Sequence, residues 1–224
     1  MSNTVLVMGP SGTGKSTSIR NLDSTETFVI NILTKHLPFR GSMSMYSEEN
    51  KNYIETDKAS TIVKYIEAIN KRRPEIKTLI IDDITFVMNN EYMRRCQERQ
   101  FDKFVDMGKN MFSIMDMCSS ARDDLTCYLM SHVEMSADGM IIPRTVGKMT
   151  GDYVGLGERV TVALHSKIVD GEYKFLTQHD GTSYAKSPMG MFDDLYIAND
   201  LLYVNKAINE FYGEESTEKV LSEK

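Results

Sequence analysis

Residues 9 to 16 read Gly9-Pro10-Ser11-Gly12-Thr13-Gly14-Lys15-Ser16, and they stand between a short apolar run, Thr4 to Met8, and a segment from Lys15 to Leu22 that reads as a helix. This is the full GxxxxGK[ST] pattern in the strand–loop–helix setting that its chemistry requires. Glycines let consecutive backbone N–H groups turn inward on phosphate oxygens, and a helix N-terminus adds partial positive charge. The pattern therefore predicts a phosphate cradle built from Gly9 to Thr17. In it Lys15 reaches the β and γ phosphates of ATP, and the Ser16 hydroxyl completes the coordination of Mg²⁺. A chain with this loop must place it at the end of a buried strand, so it also predicts an α/β fold with a mostly parallel sheet.

Acids are expected where that sheet ends. Thr78 to Ile81 is an apolar strand that runs into Asp82 and Asp83. A carboxylate there can hold Mg²⁺, and a second one beside it can polarise the attacking water. Asp82 is the expected metal residue and Asp83 the expected base, the alternative for Asp83 being a cap on the turn that follows. A fourth apolar run, Leu125 to Met130, ends in Ser131 and His132. In the additional-strand branch of P-loop proteins, a strand after the acid pair inserts between it and the first strand, and its polar end residue senses the γ-phosphate. Ser131 and His132 are expected in that role, the alternative being ordinary polar residues at a strand end.

Elsewhere the chain alternates strand and helix as far as Met130, with Thr27–Leu33 a strand, Thr34–Tyr53 a long irregular loop and Asp57–Lys71 an amphipathic helix. The stretch Asn89–Ala121 reads as one long helix or two. Arg159–Val169 and Glu172–Gln178 alternate at period two around Asp170-Gly171, a strong hairpin signal, and predict antiparallel strands at the sheet edge before a helix over about Ala198–Tyr212. The expected fold is a RecA-like, three-layer P-loop domain over residues 1–212 with a C-terminal hairpin, followed by an acidic, flexible tail over 213–224.

Composition narrows the setting. The net charge of −6 argues against coating DNA by bulk electrostatics, yet it is unevenly spread. Residues 210–224 hold five Glu and two Lys, whereas residues 58–77 hold six Lys or Arg and two Glu. Any nucleic-acid contact must then be local. The basic cluster Lys71-Arg72-Arg73 ends a helix, where pairing with the helix dipole is the plainer reading. Segment Gly139–Gly151 carries Arg144 and Lys148 and no stacking aromatic. Three cysteines without a CxxC pair suggest neither a disulfide framework nor a zinc site. With no signal peptide or membrane-spanning run visible, a cytoplasmic protein is expected. Met107, Met111, Met115 and Met117 fall on helical spacing and are expected in the core.

Several segments together resemble a group of bacteriophage P-loop ATPases. They are Gly9–Ser16, the loop Thr34-Lys35-His36-Leu37-Pro38-Phe39-Arg40-Gly41, Asp82-Asp83, Phe101-Asp102-Lys103-Phe104, Ser131-His132-Val133-Glu134 and Ala185-Lys186-Ser187-Pro188-Met189-Gly190-Met191-Phe192. The group is often placed with the Sak-type, minimal RecA-like proteins thought to act in phage single-strand annealing and recombination. The likeness spans residues 1 to about 212. It implies MgATP binding, assembly of identical subunits into a ring or filament, single-stranded DNA as partner, and a phage single-strand binding or replication protein as a further one, in the host cytoplasm. It also implies a basic residue offered to a neighbour's γ-phosphate, for which Lys148 and Lys186 are candidates, with Arg144 a further candidate for DNA. The chain lacks the N-terminal oligomerisation domain and the large C-terminal domain of full-length RecA, so annealing or an accessory role is expected over strand exchange.

Two alternatives stand beside this. A loader or regulatory ATPase would act through a protein partner, although loaders of the AAA class add a helical lid where this chain has a hairpin and one helix. A nucleotide kinase would carry an arginine-rich lid after the fourth strand, where only Arg144 and Arg159 occur.

Overall fold

The computed structural model describes residues 3–99, 101–146 and 154–213. In chain order the elements are β1 (Asn3–Met8), a 3-10 helix (Ser16–Asn21), β2 (Thr27–Asn31), α1 (Ser42–Met45), β3 (Tyr53–Glu55), α2 (Ala59–Arg72), β4 (Thr78–Asp82), α3 (Thr85–Arg94), α4 (Asp102–Ser119), β5 (Thr126–Ser131), β6 (Val133–Met135), β7 (Ile141–Pro143), β8 (Val162–Val169), β9 (Glu172–Leu176), β10 (Tyr196–Ala198) and α5 (Leu201–Tyr212). Eight strands form one sheet in the order β10-β9-β8-β1-β5-β4-β2-β3, and β6 pairs with β7 alone.

The strands from β8 to β3 are parallel; β9 runs against them and β10 pairs antiparallel with β9. The fold is thus the expected P-loop α/β architecture. β5 lies between β1 and β4, as the additional-strand reading requires.

Strand alternation divides the core into two layers. Leu6, Met8, Ile30, Leu79, Ile81 and Leu129 face one side, where α2, α3 and α4 cover them. Val5, Val7, Val29, Ile80, Tyr128 and Met130 face the other, under the 3-10 helix and α5. Helix α2 shows why such a segment is helical and where it stops. Ile62, Ile66 and Ile69 recur at spacings of four and three and are all buried, while Lys71 and Arg72 complete the last turn and Pro74 follows. Met107, Met111 and Met115 are core residues, and Met117 packs against them partly buried.

The ambiguous run Asn89–Ala121 is two helices. In the first turn of α4, Lys103 folds back to donate to the Glu98 carbonyl at 2.7 Å. The hairpin β8–β9 turns at Asp170 (φ 53°) and Gly171 (φ 80°), the two left-handed residues that a tight two-residue turn needs. One expectation fails: the helix over Lys15–Leu22 is only a six-residue 3-10 helix. The Ser18 hydroxyl bonds to the Lys15 carbonyl, and the Ser18 N–H is shared between the carbonyls of Gly14 and Lys15. This local competition tightens the turn.

Candidate functional site

Parallel register brings the carboxyl ends of four strands together. Met8 is level with Ser131, and Asn31 is level with Asp82. The Gly9 N–H donates to the Ser131 carbonyl at 3.1 Å, so the phosphate loop leaves β1 already tied to β5. Gly9 has no room for a side chain, because a Cβ there would lie 2.8 Å from the Ser166 carbonyl of β8. The loop folds over itself, with the Thr13 hydroxyl donating to the Pro10 carbonyl at 2.9 Å. Pro10, Ser11 and Gly12 are exposed along its rim, Thr13 and Thr17 are half-buried, and Gly14, Lys15 and Ser16 are buried.

Lys15 curls into the loop and donates to the carbonyls of Gly9 (2.8 Å) and Pro10 (2.9 Å). Burial lowers its pKa, and the charges of Asp83 and Asp82 oppose that shift. The ammonium is therefore held by weak carbonyl acceptors while it lies in the field of both acids, and a phosphate offers it a stronger, charged acceptor. Because the helix that follows is a short 3-10 segment, its macrodipole is small, which leaves the loop N–H groups and Lys15 as the groups able to meet an anion.

Ser16 Oγ donates to Asp82 Oδ1 at 2.9 Å, whereas Asp82 Oδ2 is buried with no hydrogen-bond partner among the described residues. Burial, then the neighbouring charge of Asp83, pushes Asp82 up to about 6. A fully buried carboxylate with an orphaned oxygen next to a serine hydroxyl is a donor set that fits Mg²⁺. No cluster of three or more His, Cys, Asp or Glu side chains that could hold a metal occurs among the described residues.

Asp83 adopts a left-handed backbone (φ 65°), which Asp tolerates better than most residues. Its carboxylate does not cap α3, whose N-cap position is Ile84 with no side-chain capping bond. Instead one oxygen pairs with Lys35 Nζ and the other lies 3.1 Å from His132 Nε2. Burial pushes Asp83 up, but the bonds from His132 and Lys35 together outweigh it and hold the carboxyl below its ordinary range. The two adjacent acids are thus driven apart, Asp82 upward and Asp83 downward.

Three contributors carry no sequence signal of their own. Thr85 Oγ1 lies 3.0 Å from Ser131 Oγ and accepts the His132 N–H at 3.1 Å, fixing the end of β5. Phe86 packs edge-on against the His132 ring at 5.4 Å. Asn31 donates to the Lys35 carbonyl at 2.6 Å and to the Tyr53 hydroxyl at 2.8 Å, holding the loop that delivers Lys35.

Of the basic candidates, Arg144 is exposed, and its N–H donates to the His132 carbonyl at 2.8 Å. Lys148 falls outside the described residues. Lys186 sits over the Tyr184 ring at 5.6 Å, and no described contact joins it to the phosphate loop. The helix-end cluster is engaged locally: Lys71 pairs with Glu67, and Arg73 with Glu75. No helix among the described residues is long and apolar enough to cross a membrane.

Comparison with known sequences adds one match. The family model of an AAA domain matches residues 1–183. No curated protein matches the chain.

Proposed function

Since the chain belongs to the AAA domain family, a family of P-loop ATPases, we propose that it hydrolyses ATP with Mg²⁺ and couples this to single-stranded DNA, as an oligomer of identical subunits serving annealing or recombination in a phage. The observation that carries the hydrolytic part is the placement of Asp83, ionised and bound between Lys35 and His132, on the edge that bears Lys15 and the Ser16–Asp82 pair.

In this reading the loop N–H groups and Lys15 orient the triphosphate, and Ser16 and Asp82 hold the metal. When bound, Mg²⁺ neutralises charge on the β and γ phosphates. The water oxygen bonds to the γ-phosphorus, the bond to the ADP oxygen breaks, and the water proton passes to the Asp83 carboxylate. The His132 imidazole steadies that carboxylate, and Ser131, locked to Thr85, keeps the end of β5 in register with the loop. Lys35 occupies one Asp83 oxygen and must let go before that oxygen can meet water.

The DNA part is supported by the resemblance of the 34–41 and 185–192 segments to phage ATPases and by the exposed Arg144 beside His132. Arg144, Lys148 and Lys186 are the residues offered to DNA or to a neighbouring subunit. Exposed Met93 and Phe101, at 66% and 75% exposure on the corner between α3 and α4, favour the second reading, a nucleotide-switched ATPase that binds a protein partner. ATP turnover measured with and without single-stranded DNA over a range of salt separates the two. Stimulation that fades as salt rises supports the DNA reading. Turnover indifferent to DNA, with no salt-dependent complex, contradicts it.

A further inference from the structure

The two ends of a triphosphate lying in the loop must leave on different sides. The hydrolysed end is set by Asp82, Asp83 and His132, which lie at the carboxyl ends of β4 and β5 on one flank of β1. The other flank is β8, and the β8–β9 hairpin projects past the sheet edge there. Ser166 of β8 is already level with the loop, since its hydroxyl bonds to the Thr13 carbonyl. Ile168 and Tyr173 are paired across the hairpin two residues further out, about 7 Å beyond at strand rise. They share the parity of Ser166 and Phe175, and Phe175 is buried on the side of the sheet that carries the 3-10 helix. Both are apolar side chains left half in water, at 53% and 51% exposure.

Tyr173 also reaches the loop itself. A Cβ on Gly14 would lie 3.0 Å from Tyr173 Cδ1 and 3.0 Å from Asn199 Oδ1, so the ring edge and the glycine are in close approach. The wall is held in place by polar ties. Asn199 Nδ2 donates to Ser166 Oγ at 3.2 Å, and Arg20 of the 3-10 helix donates to the Asn199 carbonyl at 2.7 Å. Among the described residues the Tyr173 ring has no aromatic partner.

We infer that Tyr173, backed by Ile168, is the surface on which the base of a bound nucleoside triphosphate stacks, which makes the C-terminal hairpin the nucleoside half of the site. This rests on the nucleotide-binding reading above. A half-exposed tyrosine beside the last glycine of the loop supplies a π-face at the point where the nucleoside leaves the phosphates, and stacking needs no particular base edge.

The test uses two ligands that share phosphates and differ in the base: ATP and inorganic tripolyphosphate, each titrated by calorimetry. Tyr173→Ala should weaken ATP about tenfold or more and leave tripolyphosphate unchanged, while Tyr173→Phe keeps both. The chain has no tryptophan, so Tyr173→Trp gives a single reporter whose fluorescence ATP should quench and tripolyphosphate should not. ATP affinity unchanged in Tyr173→Ala overturns the assignment, as does an equal loss for both ligands, which would mean a distorted loop. If the unaltered protein binds neither ligand, the nucleotide reading itself falls, and that outcome is distinct from the other two.

Discussion

On the β5 flank of β1, Lys15, Lys35, Asp82, Asp83 and His132 crowd into a region where both acids are almost wholly buried, and each is tied to a neighbour by a polar contact. On the β8 flank, the same edge ends in Ile168 and Tyr173, half exposed, with neutral polar groups beneath them. One strand thus separates a wall able to move charge from a wall able to hold a flat ring. Low dielectric strengthens every interaction on the first flank and makes each loss there costly, whereas the second gains mainly by covering apolar surface. Electrostatic changes should therefore act on chemistry when made on the β5 side and on affinity or stability when made on the β8 side.

The largest break should come from Lys15→Ala. Removing the only ammonium inside the loop should cut ATP turnover by a factor on the order of a thousand and weaken ATP and tripolyphosphate alike, read by calorimetry and phosphate release. Loss of turnover with full affinity for both would place Lys15 outside the phosphate-binding set.

The β8 flank has its own buried titratable group, and it works in the opposite sense. His165 lies 2.7 Å through Nδ1 from the Ser183 hydroxyl, and burial, then the charge of Lys167, pushes its pKa down to about 4. The folded value is below the unfolded value of roughly 6.5, so the unfolded chain takes up more protons between the two. The contribution of His165 is complete above about pH 6.5 and is lost as the pH falls toward 4, on the order of 3 kcal/mol. Asp82, pushed up to about 6, titrates with the opposite slope. Thermal melts of the unaltered protein and His165→Asn over this range cancel that contribution in their difference, and the variant should show the flatter loss. Parallel curves would mean that folding leaves the pKa of His165 unchanged.

The smallest effect tests the grip on Asp83. Lys35 is 48% exposed in its side chain, so its pair with Asp83 is only partly shielded and worth about 1 kcal/mol. Lys35→Ala should raise ATP turnover in the absence of DNA about fivefold by freeing that oxygen. A fall would instead make Lys35 part of the hydrolytic set and narrow the contrast between the flanks.

Most of the frame of this comparison is legible in the sequence. The phosphate loop, the apolar runs ending in Asp82-Asp83 and Ser131-His132, and the Asp170-Gly171 turn are local signals, because strand burial and turn conformation depend on nearest neighbours. The insertion of β5 between β1 and β4 also follows, once the order of strands is read as a P-loop topology. What joins the pieces does not follow. Lys35 sits in an irregular loop with no period to orient it, and it meets Asp83 only because Asn31 anchors that loop. Thr85 looks like any helix start. The closeness of Tyr173 to Gly14 spans 159 residues and comes from the register of β8 on β1. The 3-10 helix was hidden for a different reason: the serine-to-carbonyl bonds that shorten it compete with helix inside a segment whose pattern suits either form.

In the proposed function the β5 flank holds a carboxylate poised for hydrolysis, separate from the groups that bind nucleotide. Asp83→Asn keeps the shape of that side chain and removes its charge, so ATP affinity and ATP turnover measured on the same samples test the claim most directly. Affinity should stay within a few-fold of the unaltered protein while turnover falls by a factor on the order of a hundred or more. Undiminished turnover in Asp83→Asn, or loss of ATP binding along with turnover, would rule out that role for Asp83.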